Sequence, residues 1–241
     1  MPSPLPARRP SPVLIGAVAV GTVLGAVLTV QATAGHGHTS AATKPPAAAP
    51  TNAVPQPVTQ PVAAPLTLPS ATAYIGDVPT GFPQTLPGAI AAAYGYSQVG
   101  TSLDVATALR TVESIADPAR GWFTAALRDQ ASAGVIAQRQ RLGLPAIGPT
   151  GQASITVTPS AYQVRGAAQT NVTVLTLNVV TTIANDGTQN TGLLVYRWAL
   201  RWDGARWRAT TVYLQDGDQD LAVTPLTADA RAKGWQATDD G

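Results

Sequence analysis

The stretch LLVYRWALRWDGARWRATTVYL, Leu193–Leu214, decides the architecture. Its side chains alternate between apolar and polar with a period of two, which is the period of a strand. Asp203-Gly204 stands at its centre, a pairing suited to a tight hairpin turn because glycine supplies a positive φ. The reading is two antiparallel strands, Leu193–Trp202 and Arg206–Leu214. One face collects Leu194, Tyr196, Trp198, Leu200, Trp202, Trp207, Ala209 and Tyr213. The other collects Arg197, Arg201, Arg206 and Arg208. Burying a large apolar side chain stabilises by about 1.5–3 kcal/mol, so the aromatic face is expected to point inward.

Upstream, the period of two continues. Asn171–Ile183 (NVTVLTLNVVTTI) reads as a long β-branched strand followed by an Asn185-Asp186-Gly187 turn. Ser154–Thr158 and Tyr162–Arg165 read as short strands broken by Pro159. Before Gly151 the pattern turns helical. Pro87–Val99 is expected as a first helix. A second covers Thr101–Asp117, with Thr101 and Asp104 spaced as a capping box and Leu103, Ala106, Leu109, Val112 and Ala116 as its apolar stripe. A third runs from Pro118 to about Leu142, burying Trp122, Phe123, Ala126, Leu127 and Ala131. The fold class is therefore α+β, with three helices packed on a curved antiparallel sheet.

Three helices, then a curved sheet closing on the RWDGARWRATTVYL hairpin, resemble the cystatin-like cone of the nuclear transport factor 2-like superfamily. Membrane-anchored members with this layout include VirB-eight-like and TcpC-like components of conjugation and type IV secretion machines. The segment DVPTGFPQTLPGAIAAAYGYSQV is also similar to the openings of actinobacterial proteins of unknown function. The resemblance implies a scaffold role and carries over no catalytic residue.

The N-terminal part has a different character. Thirteen of the 21 prolines precede residue 70, and Val13–Ala34 carries no charge. At about 1.5 Å per residue that run can cross a ~30 Å hydrocarbon layer. Arg8 and Arg9 precede it and no charge follows before Lys44, which places the N-terminus in the cytoplasm and the rest outside. The alternative is a cleaved signal peptide ending at Ala32-Thr33-Ala34. The expected organisation is a cytoplasmic tail (1–12), a transmembrane anchor (13–34), an Ala/Pro-rich linker (35–76) and an extracytoplasmic α+β domain (77–241). Ala17, Gly21 and Gly25, four residues apart, form a candidate surface for self-association within the membrane. The linker is a semi-rigid spacer of polyproline character.

Composition narrows the chemistry. The chain has no cysteine, which excludes disulfides, thiolate metal sites and a cysteine nucleophile. Its only histidines, His36 and His38, lie in the linker, so the domain has no base for a serine triad and no zinc set. From Asp77 onward, 12 basic residues face 13 acidic ones, and nucleic acid is not an expected partner. Asp216, Asp218 and Asp220 imitate the start of a calcium loop, but Leu221 and Thr227 stand where glycine and glutamate belong. Asn171-Val172-Thr173 spells a glycosylation sequon inside a strand.

Three functional classes remain. The first is a non-enzymatic membrane-anchored scaffold that needs no cofactor, docking other proteins of an envelope assembly, or a second copy of itself, through Arg197, Arg201, Arg206 and Arg208. Four guanidiniums on one face otherwise need internal carboxylates. The second is a small-molecule binder whose cone cavity is lined by Tyr196, Trp198, Trp202, Trp207 and Tyr213. The third is a cone-fold enzyme drawing on Asp104, Glu113 and Asp117 with Tyr94, Tyr96, Tyr196 and Tyr213.

Overall fold

The computed structural model describes residues 65–121, 123–213 and 216–239. The expected tail, the anchor with Ala17, Gly21 and Gly25, His36, His38 and Trp122 all lie outside the described residues. Among the described residues no helix is long and apolar enough to cross a membrane.

The protein is α+β. A small hairpin, β1 (Ala73–Ile75) and β2 (Val78–Thr80), precedes helices α1 (Leu86–Val99), α2 (Val105–Ile115) and α3 (Ala125–Arg141). Strands β3 (Ser154–Ala167), β4 (Asn171–Ile183), β5 (Gln189–Trp202) and β6 (Trp207–Tyr213) then form an antiparallel sheet in that order. Short helices α4 (Asp216–Gln219) and α5 (Ala228–Ala232) follow.

Helix α1 is the spine of the domain. Thr85 caps it by accepting from the Gly88 N–H at 3.1 Å, and every residue from Gly88 to Ser97 is buried. So complete a burial explains a composition dominated by alanine and glycine, since only small residues allow neighbours on all sides. A Cβ built on Gly88 would lie 2.1 Å from the Pro83 carbonyl oxygen, and one on Gly95 would lie 2.5 Å from Pro79 Cγ. Both glycines permit close approach by the preceding chain. Because the Pro83 contact is to backbone and cannot rotate away, Gly88→Ala is expected to cost about 1–3 kcal/mol despite alanine's better helix propensity. A urea titration reads that cost. Gly95→Ala, facing a proline ring, should cost less.

The helix face of the sheet carries the main core: Tyr96, Val112, Ile115, Val174, Tyr196, Trp198, Leu200, Trp207 and Val212. A directed polar chain runs through it. Asn178 donates to Thr176 Oγ1 (3.0 Å), Thr176 lies 3.2 Å from Ser97 Oγ, and Ser97 donates to the Ala93 carbonyl (2.8 Å). Ser97 has one proton, already given to Ala93, so Thr176 is the donor between them. Trp198 Nε1 also donates to Ser97 Oγ at 3.0 Å, tying the sheet to α1.

The opposite face of the sheet is also covered. Ala161, Leu175, Leu177 and Val195 pack under Ala230 and Trp235, with Leu221, Ala222 and Val223 alongside. The C-terminal segment thus forms a second, thinner layer. Gln236 exchanges two backbone hydrogen bonds with Tyr162 on the β3 edge, at 2.9 and 3.0 Å. Beyond it, Leu66 pairs in parallel with Thr238. Leu66, Leu68 and Ala71, in the stretch expected as linker, pack on the main core.

Several sequence expectations are corrected. The third helix begins at Ala125, because Gly121 turns into the left-handed region (φ 56°) and Thr124 starts a new cap; Pro118–Arg120 is a separate 3₁₀ turn. Its buried side is Ala131, Val135, Gln138 and Arg139, while Ala126 is exposed. Asp104, not Thr101, caps α2, accepting from the Thr107 N–H at 2.8 Å. Of the expected stripe, Leu103, Val112 and Ala116 are buried, Leu109 packs on the core and Ala106 is exposed; Ala108, Thr111 and Ile115 are buried beside them. Pro159 does not break β3. It lies on an edge strand, and the register absorbs one extra residue, Ser160, whose hydroxyl donates to the Leu177 carbonyl at 3.0 Å.

Candidate functional site

The arginine row was the main candidate, and the backbone builds most of it as expected. Arg197 and Arg201 alternate along β5, and Arg208 stands directly opposite Arg201 on β6. Each is engaged within the domain. Arg197 donates to both oxygens of Asp218 at 2.8 and 2.5 Å. Arg201 donates to both oxygens of Asp117 at 2.6 and 2.8 Å. Arg208 reaches Asp203 Oδ2 at 2.8 Å and the Ser114 carbonyl at 2.9 Å. Three segments distant in sequence thus converge on this face: the end of α2, the hairpin turn and α4. These three are therefore engaged internally, Arg197 and Arg201 in bidentate pairs and Arg208 through one carboxylate oxygen and a backbone carbonyl.

Arg206 differs. It closes the turn, its N–H donating to Asp203 Oδ1 at 2.8 Å. Its Nη1 is buried with no hydrogen-bond partner among the described residues. Burial, aided by the neighbouring Arg208 charge, pushes its guanidinium pKa down.

Acid–base behaviour follows from these contacts. Burial opposes the charge on Asp203, but the Arg208 hydrogen bond and the Ala205 and Arg206 N–H groups outweigh it, holding the carboxyl down at about 2. Asp117 is lowered chiefly by the Arg201 hydrogen bonds, against its own desolvation. Both groups are more acidic folded than unfolded, so their stabilisation is full above the ordinary carboxylate range and is lost on acidification, for Asp203 as pH falls towards about 2. Melting temperature followed through that window should fall steeply. Asp203→Asn should lower stability at neutral pH and flatten the acid slope.

The aromatic set is interior. Trp198 packs edge-on against Tyr96 (centroids 5.9 Å apart) and against Tyr196 (6.2 Å), and all three are essentially inaccessible. Trp202 and Trp207 meet at 5.5 Å, and Trp207 Nε1 donates to the Pro83 carbonyl at 2.9 Å. Tyr96 donates to the Trp207 carbonyl at 2.6 Å, and burial raises its pKa to about 12. These rings therefore fill the core beside α1. Tyr213 is corrected. Thr210 is an extra residue in β6, so Tyr213 pairs with Arg197 and takes a position on the arginine face, while Val212 pairs with Trp198.

No family model, curated protein or solved structure matches the chain.

The carboxylate–tyrosine constellation is not assembled. Asp104 is a helix cap, Glu113 is an exposed ion-pair partner of Arg128, and Asp117 serves Arg201. Tyr94, Tyr96 and Tyr196 are buried in the main core on the other side of the sheet. The DGDQD stretch forms α4, where Asp218 is committed to Arg197. Among the described residues no group of His, Cys, Asp or Glu could hold a metal ion.

Three open surface pockets lie among the described residues. One of about 310 Å³ lies among Gln84, Leu86, Gln169, Val172 and Trp207. A second, about 440 Å³, adjoins it across Ala167, Ala168 and Val172. A third, about 280 Å³, separates the β1–β2 turn from α2 and includes Asp77 and Arg110.

The residues that sequence reasoning missed are Arg139 and Gln219. Arg139 is buried and donates to the carbonyls of Pro145 (2.7 Å), Leu103 (2.9 Å), Gly148 (2.8 Å) and Pro149 (3.2 Å). Gln219 accepts from the Val195 N–H at 3.1 Å and donates to its carbonyl at 2.7 Å, imitating one more rung of β6. The prolines and glycines after α3 hinted at a loop in need of a fastening. Nothing in the sequence flagged Gln219.

Proposed function

We propose that the chain is a single-pass membrane protein whose folded domain stands outside the membrane as a scaffold or adaptor in an envelope assembly, of the conjugation or secretion kind. The observation that carries this reading is the filled interior. Trp198, Tyr196 and Tyr96 pack one another where a cone-shaped domain would hold a ligand, which leaves the surface as the working part. The helices-then-sheet order is compatible with the cystatin-like cone. The uncharged Val13–Ala34 run supplies the anchor, and the roughly 30 residues that follow it, at up to ~3.1 Å each, supply reach.

The test has two parts. The full chain, tagged at its C-terminus, should stay in the membrane pellet after alkaline extraction, and protease added from outside should remove the domain. After mild crosslinking in native membranes it should then bring down components of an envelope machine. A chain found in the alkaline supernatant, or one that carries a retained small molecule and no protein, would overturn the reading.

A further inference from the structure

Among the described residues the sheet has one unguarded edge, and we infer that it is where a second copy of this chain pairs. In β5, odd-numbered residues turn their N–H and C=O groups towards the β6 side, as Val195 does towards Gln219. Strand β6 pairs only with Arg197–Trp202, and Gln219 satisfies Val195. The groups of Leu193, Thr191 and Gln189 face outward with no strand beside them among the described residues, although the β4 ladder continues unbroken to Ile183↔Gln189. Residues Gln189–Leu193 are all exposed.

The other edges are closed. Gln236 covers β3 at Tyr162, and Pro159 and the bulges interrupt the rest of that strand. Asp117 N–H donates to the Ala209 carbonyl at 2.8 Å on the β6 edge. Proteins guard edge strands with charge, proline or bulges because an open ladder invites another strand. The segment QNTGL (189–193) has none of these guards.

A second copy fits for two reasons. An antiparallel pair centred on Thr191 sets Thr191 against itself and Gln189 against Leu193, with no like charges opposed. It forms about six backbone hydrogen bonds. A contact that small lies below the ~1,000 Å² of a stable free complex. Two copies tethered to one membrane supply the missing local concentration, in the millimolar range for short flexible links. The tether rests on the adaptor reading; the open edge does not.

The chain lacks cysteine, so one introduced thiol reports cleanly. In this register the two Thr191 Cα atoms stand about 5.5 Å apart, within disulfide range. Full chains carrying Thr191→Cys, or Asp129→Cys on exposed α3 as the reference, are oxidised mildly in native membranes and after purification. A covalent dimer several-fold more abundant at 191 than at 129 is expected. Adding Leu193→Pro, which removes an outward N–H and leaves the β4 ladder intact, should abolish it. So should Gln189→Lys with Leu193→Lys, which opposes ammonium groups. Equal yields at 191 and 129, or a dimer indifferent to both edge changes, would overturn the inference. A membrane-bound chain without the crosslink sinks only the dimer; a crosslinked chain outside the membrane sinks only the adaptor reading.

Discussion

Arg139→Met is expected to lower stability by about 3 kcal/mol, or about 10 °C in melting temperature for a body of this size. The guanidinium donates to four carbonyls from two separate stretches, Leu103 before α2 and Pro145–Pro149 after α3. Hydrogen bonds to a charged donor contribute about 1.5–3 kcal/mol each. Two effects reduce the sum. Removing the charge also removes its desolvation cost, and the exposed loop carbonyls recover water once released. The Leu103 carbonyl, held by a buried contact, recovers least. Arg139→Lys should restore only part of the loss, because one ammonium cannot span the spacing that the planar fork does. Thermal melts rank the three proteins, and limited proteolysis should show cleavage near 145–149 rising in the same order. A methionine variant as stable as the parent would remove Arg139 from its place as the fastening of this loop.

The second large effect concerns Arg201 and Asp117, and it is asymmetric. The Asp117 side chain is fully buried, whereas about a quarter of the Arg201 side chain reaches solvent. Arg201→Met therefore leaves a carboxylate with no access to water and only the Ala119 N–H for company. It should cost about 3–5 kcal/mol. Asp117→Ala leaves a guanidinium that water can reach, and should cost roughly 1–2 kcal/mol less. The double variant should cost less than the sum of the two. Equal single-variant losses would mean that burial does not control this pair. Loss of partner binding on changing Arg201 would also need a melting curve before it could be assigned to docking.

The period of two around Asp203-Gly204 is a reliable guide because one face has to be buried, whereas β4, covered on both faces, is legible from its β-branched and apolar run. What escaped were single-residue events. Thr210 and Ser160 each occupy an extra position and donate a hydroxyl to a carbonyl across the strand pair, Ala199 and Leu177. Such a bulge leaves the alternation intact on either side but shifts its phase by one residue beyond the extra position, which is why Val212 and not Tyr213 pairs with a residue of the Trp198 face. The helix ends drifted for a related reason: Thr101, Asp104, Thr124 and Asp117 are all competent caps, and only packing selects among them. The arginine face was legible as a face but not as a set of partners. Asp117 lies 84 residues from Arg201 and Asp218 lies 21 from Arg197, and no local pattern encodes such meetings. The second layer went unseen because Leu221, Val223 and Trp235 follow neither periodicity.

Leu66 N–H meets the Ala237 carbonyl at 3.3 Å, Asp239 N–H meets the Leu66 carbonyl at 3.2 Å, and the Thr67 hydroxyl meets the Asp239 carboxylate at 2.5 Å. The first and last described segments therefore meet at one corner. Tension applied between them would be taken by that three-bond clasp and would bypass the sheet until the clasp opened. If the domain is tethered as proposed, a body held at that one corner can swivel, and the tether would set how far it travels while leaving its heading free.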